Sequence, residues 1–330
     1  MDAPASPIAT RHGSKASLAA MALMTAALLV APHVGVYPVF LMKALCFALF
    51  ACAFNLLLGY GGLLSFGHAM FLGSAGYVCA HVAKVWGWPT EAAILAGTAV
   101  STAMGVVVGF LAIRRQGIYF AMITLAIAQM VFFFAVQAPF THGEDGIQSV
   151  PRGTLFGVID LSHGLAMYYT VIVIFVAAWL FIYRVVYSPF GQVLKAIKEN
   201  EPRAISLGYD ADRYKLVAFI LSAALAGLAG ATKAIVFQLA SLTDVDWPMS
   251  GEVVLMVLLG GMGTTFGPVV GAFILVGLES VLTSGVTIAG MTLGPEWVPV
   301  ITGAIFVICV LAFRRGVVGE VAAFFARRRR

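Results

Sequence analysis

Residues 165–187 read LAMYYTVIVIFVAAWLFIYRVVY, and residues 188–215 continue SPFGQVLKAIKENEPRAISLGYDADRYK. The first part is a run long enough to cross a bilayer core as a helix, which takes about 20 apolar residues. The second is the longest strongly polar interruption in the chain. It carries both signs of charge at helical spacing and stops at Gly208. An apolar span that hands over to a structured polar segment sets the fold class, and apolar runs of similar length recur on both sides of it.

Hydrophobic residues make up 61% of the 330 and charged residues only 11%. The mean hydropathy of +0.97 lies far outside the range of soluble domains. Apolar runs fall near 16–32, 38–58, 63–82, 91–113, 118–138, 165–187, 214–239, 248–262, 267–284 and 297–313. In hydrocarbon every backbone N–H and C=O needs an internal partner, so such runs become helices. The ten-residue alternation of a membrane barrel is absent. The expected fold is an all-α polytopic membrane protein of about ten transmembrane helices. The second, third, eighth and ninth runs are rich in glycine and stand open between full spans and broken or re-entrant ones. Cys46, Cys52, Cys79 and Cys309 all lie inside apolar runs, without disulfide or metal-ligand spacing, and read as small buried hydrophobes. Arg11 and Lys15 precede the first run, and with no convincing cleavage site after it that run reads as a retained span.

The distribution of cations orients the chain. With the N-terminus inside, ten spans return the C-terminus inside. The inner segments then hold Arg11, Lys15, Arg114, Arg115, Arg184, Lys195, Lys198, Arg203, Arg213, Lys215, Arg314, Arg315 and Arg327 to Arg330, 16 of the 20 basic residues. Outer segments hold Arg152 with Glu144, Asp145, Asp160, Asp244, Asp246 and Glu296. That is the positive-inside asymmetry. The net charge of +5 is therefore membrane topology, and no nucleic-acid partner is expected. The organisation expected is a cytoplasmic tail at 1–15, a transmembrane domain at 16–313 and a basic cytoplasmic tail at 314–330. Within the domain, 188–215 form an inner polar loop and 139–164 an outer one.

Inside the polar loop, Pro189 and Gly191 break the helix that ends near Tyr187. From Gln192 to Asn200, Val193, Leu194 and Ile197 share one side, while Lys195, Lys198 and Glu199 lie on others, which predicts a short amphipathic helix. Pro202 suits the start of a second short helix, Gly208 its stop, and Asp210 or Asp212 the cap of the next span. A solvated connector is the plain alternative. Apolar faces at the membrane surface argue for lipid or a partner protein.

The loop also carries a resemblance. KAIKEN (195–200), RAISLG (203–208), YKLVAF (214–219) and SAALAGLAG (222–230) resemble the cytoplasmic coupling region of branched-chain amino acid ABC importer permeases of the LivM type. NLLLGYGGLLSFGH (55–68) is similar to that family's N-x-x-x-G-Y-x-G-x-x-S-x-G-H, and RQGIYFAMITL (115–125) to its R-x-x-G-x-Y-F-A-x-x-T-L, with one residue fewer between Arg115 and Gly117. VLLGGMGTTFGP (257–268) is similar to V-x-G-G-x-G-x-x-x-G-P, with one residue more between Val257 and the glycine pair. Four ordered motifs, spread over about residues 40 to 318, are specific together.

The resemblance implies a transport subunit rather than an enzyme. Its loop would dock on a cytoplasmic ATPase through Lys195, Ile197, Lys198, Glu199, Asn200, Arg203, Ile205, Leu207 and Gly208. It implies a second homologous permease, two ABC ATPase subunits and a soluble binding protein on the outer face. The setting implied is a bacterial inner membrane with both termini cytoplasmic. The chain lacks a G-x-x-x-x-G-K-[ST] loop, so ATP–Mg belongs to the partner ATPases and no cofactor is expected on this chain. The class transports Leu, Ile and Val, broader hydrophobic or aromatic compounds, or urea and amides, and the sequence does not choose among them. An ion-coupled secondary transporter is the more distant alternative, with Glu279 and Glu252 as its few carboxylates. An intramembrane enzyme would need more than Ser65 and His68.

Asn55, Ser65, His68, Thr124 and Gln129 lie in or at the ends of spans. Such residues line a translocation path or act as interhelical glue. Around them Gly59, Gly61, Gly62, Gly67, Gly73 and Gly76 permit close helix approach, or a broken helix aiming free N–H groups at a substrate carboxylate. Gly260, Gly261 and Gly263 before Phe266-Gly267 echo Gly61, Gly62 and Phe66-Gly67, either as a repeat or by chance. Lys43, Lys233 and Glu279 sit toward the outer side. Snorkelling accounts for the lysines, and a Lys–Glu pair lining an outer vestibule is the alternative. In the outer loop His142, Glu144, Asp145 and His163 match no metal-ligand spacing, so no metal is expected there. His142 stands where the family has the first glycine of T-G-G, and the loop's acids and amides suit rim contacts with a soluble partner.

Overall fold

In the computed structural model, residues 7–157, 159–283, 287–288, 291–292, 300–301, 303–304, 307 and 316–319 are described. Most of the expected span at 297–313 lies outside them, as do Glu296, Cys309, Arg314, Arg315 and Arg327 to Arg330. The first six residues of the expected N-terminal tail also lie outside.

Eleven helices are described: α1 Pro7–Val30, α2 Pro38–Asn55, α3 His68–Lys84, α4 Thr90–Ala112, α5 Ile118–Gln137, α6 Gly164–Val186, α7 Pro189–Glu199, α8 Glu201–Ser206, α9 Ala211–Phe237, α10 Trp247–Gly260 and α11 Gly267–Thr283. α2 continues through a π turn at Leu56–Tyr60. With that turn, α2 is one of five helices long and apolar enough to span a membrane, the others being α4, α5, α6 and α9. The chain is thus an all-α, multi-pass membrane protein. The apolar runs at 38–58, 91–113, 118–138, 165–187, 214–239, 248–262 and 267–284 each became a helix with ends within a few residues. The third differs: residues 62–67 are not helical and α3 starts at His68, because the glycines and Ser65 leave the helix end to loop geometry. α1 starts at Pro7, earlier than its apolar stretch.

α2 is apolar all round and is the hub of the bundle, with Leu41, Met42 and every residue from Ala44 to Leu57 buried. A helix of that composition belongs inside. α6, α9, α10 and α11 surround it. On its other side α9 packs with α3 and α4 in a tight triple. The small-residue run at 222–230 is the reason. A methyl group added at Gly230 would overlap the Leu72 carbonyl of α3, and one at Gly227 would overlap Ser101 of α4. Small residues let helix backbones approach closely where lipid supplies no hydrophobic drive. α5 lies at the edge of the bundle, with Met122, Met130, Phe133 and Phe134 facing outward.

Alternate connections gather at opposite ends. At one end β1 (Ile147–Gln148) pairs antiparallel with β4 (Leu239–Ala240), Ile147 opposite Ala240. There the Lys84 ammonium donates to the Gln148 carbonyl at 2.7 Å, and Arg152 donates to the Val236 carbonyl at 2.8 Å. The outer-loop ribbon of β2 (Thr154–Leu155) and β3 (Ile159–Asp160) sits at this end, tied to α4 by the Thr90 hydroxyl on the Arg152 carbonyl. A third ribbon joins β5 (Thr287–Ile288) to β6 (Met291–Thr292). At the opposite end the α2–α3 turn, the α4–α5 turn, the α7–α8 pair and the α10–α11 turn touch one another.

Candidate functional site

The α7–α8 pair is built by capping. Ser188 accepts from the Gly191 N–H at the start of α7, with Pro189 in its first turn. Asn200 accepts from the Arg203 N–H to start α8, and Asp210 accepts from the Arg213 N–H to start α9. Of the two aspartates weighed as caps, Asp210 is therefore the one used. Pro189 opens α7 as well as ending α6. Gly191 lies within the first turn, against the Val185 and Val186 carbonyls, and does not break it. Gly208, with φ of +89°, ends the second helix in the left-handed region, where glycine carries no steric penalty.

Several docking candidates turn inward. Ile197 is buried against Ala204 and Ala211, with Val193 and Tyr214 closing the seam. The Lys195 ammonium lies 5.2 Å from the centre of the Tyr60 ring and 5.3 Å from that of Tyr187. Burial there lowers its pKa below the usual lysine value, and Glu199 pushes the other way. Lys198 donates to the Gly59 carbonyl at 2.6 Å, and Asn200 is occupied as the cap. The face left toward solvent carries Glu199, Arg203, Ile205, Leu207 and Gly208. Ile205 is 55% and Leu207 69% exposed. Sequence reasoning missed the clamp beneath this face: Lys215 is buried and bonds Glu201 at 2.6 Å, and Gln116 donates to the same carboxylate oxygen at 3.0 Å. The acid lies on α8 and its two partners on α9 and in the α4–α5 turn, so no local spacing signals them.

The same end of the bundle holds the glycine-rich turns. Fourteen residues of α10 rise only about 21 Å, less than the roughly 30 Å hydrocarbon core. Irregular backbone at such depth persists only where protein satisfies it, and side chains here do so. Asn55 accepts from the Gly263 N–H at 2.9 Å and donates to the Thr264 carbonyl at 2.9 Å. The Trp179 indole donates to the Thr265 carbonyl at 3.0 Å. Thr264 donates to the Gly261 carbonyl and accepts from the Gly267 N–H. Gly59 leaves room for this junction, since a methyl there would meet both Asn55 and the Gly263 nitrogen. The two turns that echo one another in sequence therefore lie side by side.

The start of α3 is stitched in the same way. Ser65 accepts from the Gly67 N–H at 3.3 Å, and Ser250 of α10 accepts from the Ala69 N–H at 2.9 Å. At this helix start the Gly67 N–H is met by its neighbour Ser65 and the Ala69 N–H by a hydroxyl that α10 brings from elsewhere in the chain. Ser222 of α9 donates to the Ala53 carbonyl at 2.6 Å, so the 2.8 Å contact with His68 is a bond donated by His68 Nε2. Nδ1 of His68 has no hydrogen-bond partner among the described residues, and Phe54, Phe71 and Phe219 meet the ring edge to face. Thr124 is buried, donates to Ala121 within α5, and its carbonyl lies against Gly67. Asn55, Ser65, His68 and Thr124 thus form one junction of interhelical and local bonds. Gln129 stands apart, half-buried on α5.

At the opposite end the two lysines read as snorkelling are paired instead. Lys43 of α2 faces Glu279 of α11 at 3.5 Å, the alternative weighed above. Lys233 of α9 bonds Asp244, a partner the sequence placed only in a loop. In the outer loop the Ser162 N–H donates to Asp160 at 2.9 Å, which holds that carboxyl below its ordinary pKa.

Comparison with known proteins places these features. Residues 38–310 match the family model described as branched-chain amino acid transport system / permease component. The high-affinity branched-chain amino acid transport system permease protein LivM of Salmonella typhimurium is 30% identical over 245 residues, covering 67% of this chain and 58% of that protein. The Escherichia coli protein of the same name is 29% identical over the same shares. A Methanocaldococcus jannaschii protein named as a probable branched-chain amino acid transport permease LivH is 28% identical over 120 residues, 35% of each chain. The match spans less than two thirds of the first two relatives' length. No solved structure matches the chain.

Proposed function

This chain belongs to the family of branched-chain amino acid transport system permease components, and from that premise we propose that it forms the membrane path of an ATP-driven importer for branched-chain or related hydrophobic amino acids. ATP–Mg binds and is hydrolysed on a separate cytoplasmic ATPase pair, which engages the α7–α8 face. A second, homologous permease completes the membrane unit, and a soluble binding protein delivers substrate to the β1–β4 end. The charge asymmetry of the chain supports an inner-membrane orientation with the α7–α8 pair and both termini in the cytoplasm.

The observation that carries this reading is the construction of the α7–α8 pair. Three side-chain caps and the buried Lys215–Glu201 bond hold it firmly, yet it exposes Ile205 and Leu207. A solvated connector needs neither the rigidity nor the exposed apolar side chains. A lever receiving motion from another protein needs both. Below that face, Lys198 reaches the α2–α3 turn, and Asn55 links that turn to α10–α11, so displacement of the pair has a bonded route into the bundle.

The test is the double charge reversal Glu199→Lys with Arg203→Glu in the full importer. Uptake of labelled leucine should fall at least tenfold while the amount of chain in the membrane stays normal. Undiminished uptake at normal expression would remove the docking role.

A further inference from the structure

The β1–β4 end of the bundle carries charges that ATPase docking does not use. Lys43 and Glu279 face each other at 3.5 Å, looser than the 2.7–2.9 Å of a tight charge-assisted bond. Behind them Lys233 pairs with Asp244, and Phe47 lies beneath both lysines, its ring centre 5.8 Å from Lys43 Nζ and 5.0 Å from Lys233 Nζ. Glu252 of α10 stands in the field of all four charges and has no hydrogen-bond or ion-pair partner among the described residues. Three carboxyl groups thus share two ammonium groups. Beside them opens a cavity of about 370 Å³, lined by Lys43, Glu279 and Ser280 and walled by Val39, Phe40 and Phe237.

We propose that this cavity is an entry site for an apolar amino acid in its zwitterionic form. The Lys43 ammonium receives the α-carboxylate, Glu279 receives the α-ammonium, and Val39, Phe40 and Phe237 cover the side chain. A loosely closed Lys–Glu pair holds opposite charges a few ångströms apart, much as the head of an amino acid does. A zwitterion inserted between them exchanges one long contact for two short ones and leaves the net charge of the site unchanged. A lone carboxylate or amine satisfies one partner and strands the other, which low dielectric penalises. Ionisable groups within spans mark substrate pathways, and the cavity has the size and mixed lining of small-molecule sites. The inference rests on the amino acid reading above and adds where, and by which groups, this chain first holds its substrate.

The test uses the complete importer, with its second permease, ATPases and binding protein, in proteoliposomes. Lys43→Gln and Glu279→Gln should each lower leucine uptake at limiting concentration by about tenfold or more, the effect of losing one charged contact. The exchange Lys43→Glu with Glu279→Lys should not restore uptake, because it turns the amino acid head away from the apolar wall. A purely structural ion pair would be restored by that exchange, and such recovery overturns the proposal. Ser280→Cys gives a readout independent of those variants. Cys46, Cys52 and Cys79 are buried and Cys309→Ser removes the fourth cysteine, so a small thiol reagent should report on the new thiol in this chain. L-Leucine should slow its labelling several-fold, while 4-methylpentanoate and 3-methylbutylamine should not. Wild-type importer that carries leucine with no such protection overturns the entry site alone. Wild-type importer that carries urea but no amino acid overturns the functional reading and this site with it.

Discussion

Lys198 on α7 donates to the carbonyl of Gly59 at 2.6 Å, tying the short amphipathic helix to the π turn where α2 ends. The residue after that turn's neighbour, Gly62, has φ of +71° and lies against the Lys198 stem. The α7–α8 pair therefore rests on backbone that already departs from regular helix. Such backbone shifts more easily than the ladder of a straight span.

Lys198→Met keeps the apolar stem and removes the bond. The chain should reach the membrane in normal amount, since one hydrogen bond from a flexible, half-exposed lysine contributes only about 1 kcal/mol. Uptake should nonetheless fall several-fold while ATP hydrolysis by the assembly persists. Parallel assays of transport and hydrolysis on the same proteoliposomes decide this, and a proportional loss of both would argue against a coupling role.

Asn55→Leu should destabilise the bundle by roughly 2–4 kcal/mol, because the Gly263 N–H and Thr264 carbonyl lose partners where water does not replace them. Asn55→Asp keeps the acceptor for Gly263 and loses the donor to Thr264. Its melting temperature in detergent should lie between that of Asn55→Leu and the parent.

Gly230→Ala places a methyl against the Leu72 carbonyl. Overpacking of that kind costs about 1–3 kcal/mol. Gly251→Ala on α10, where a methyl meets nothing, is the control and should leave thermal unfolding unchanged.

Glu201→Ala strands the buried Lys215 ammonium and should cost about 3 kcal/mol, the usual effect of breaking a buried pair. Replacing both, as Glu201→Leu with Lys215→Met, should recover most of that loss. Limited proteolysis between α8 and α9 reads the effect directly: the single variant should be cut faster than the double.

Much of the architecture was legible from residue order. Apolar run length located α2, α4, α5, α6, α9, α10 and α11, while amphipathic spacing located α7, and Pro202 with Gly208 located α8, to within a few residues. The site was legible only by class. Helical spacing put Val193, Leu194 and Ile197 together, but spacing does not say what a face meets, and Ile197 proved to lie in the seam between α7, α8 and α9. Lys195 and Lys198 read as surface charges because nothing in their neighbourhood reveals Tyr60, Tyr187 or Gly59. His68 stood out as a polar residue in an apolar run, whereas its partner Ser222, and Ser250 on the Ala69 N–H, looked like ordinary small residues.

Residue order alone determined a multi-pass helical bundle, its alternation of connections and the pair of short polar helices between α6 and α9. Those features follow from hydrocarbon thickness and backbone hydrogen bonding, which act on contiguous residues. Tertiary structure alone decided which polar groups meet. Lys43 finds Glu279 and Asn55 finds Thr264 across more than two hundred positions. A buried polar group is satisfied by whatever packing brings within about 3 Å, and that proximity is set by the close approach of helices, which no local pattern encodes.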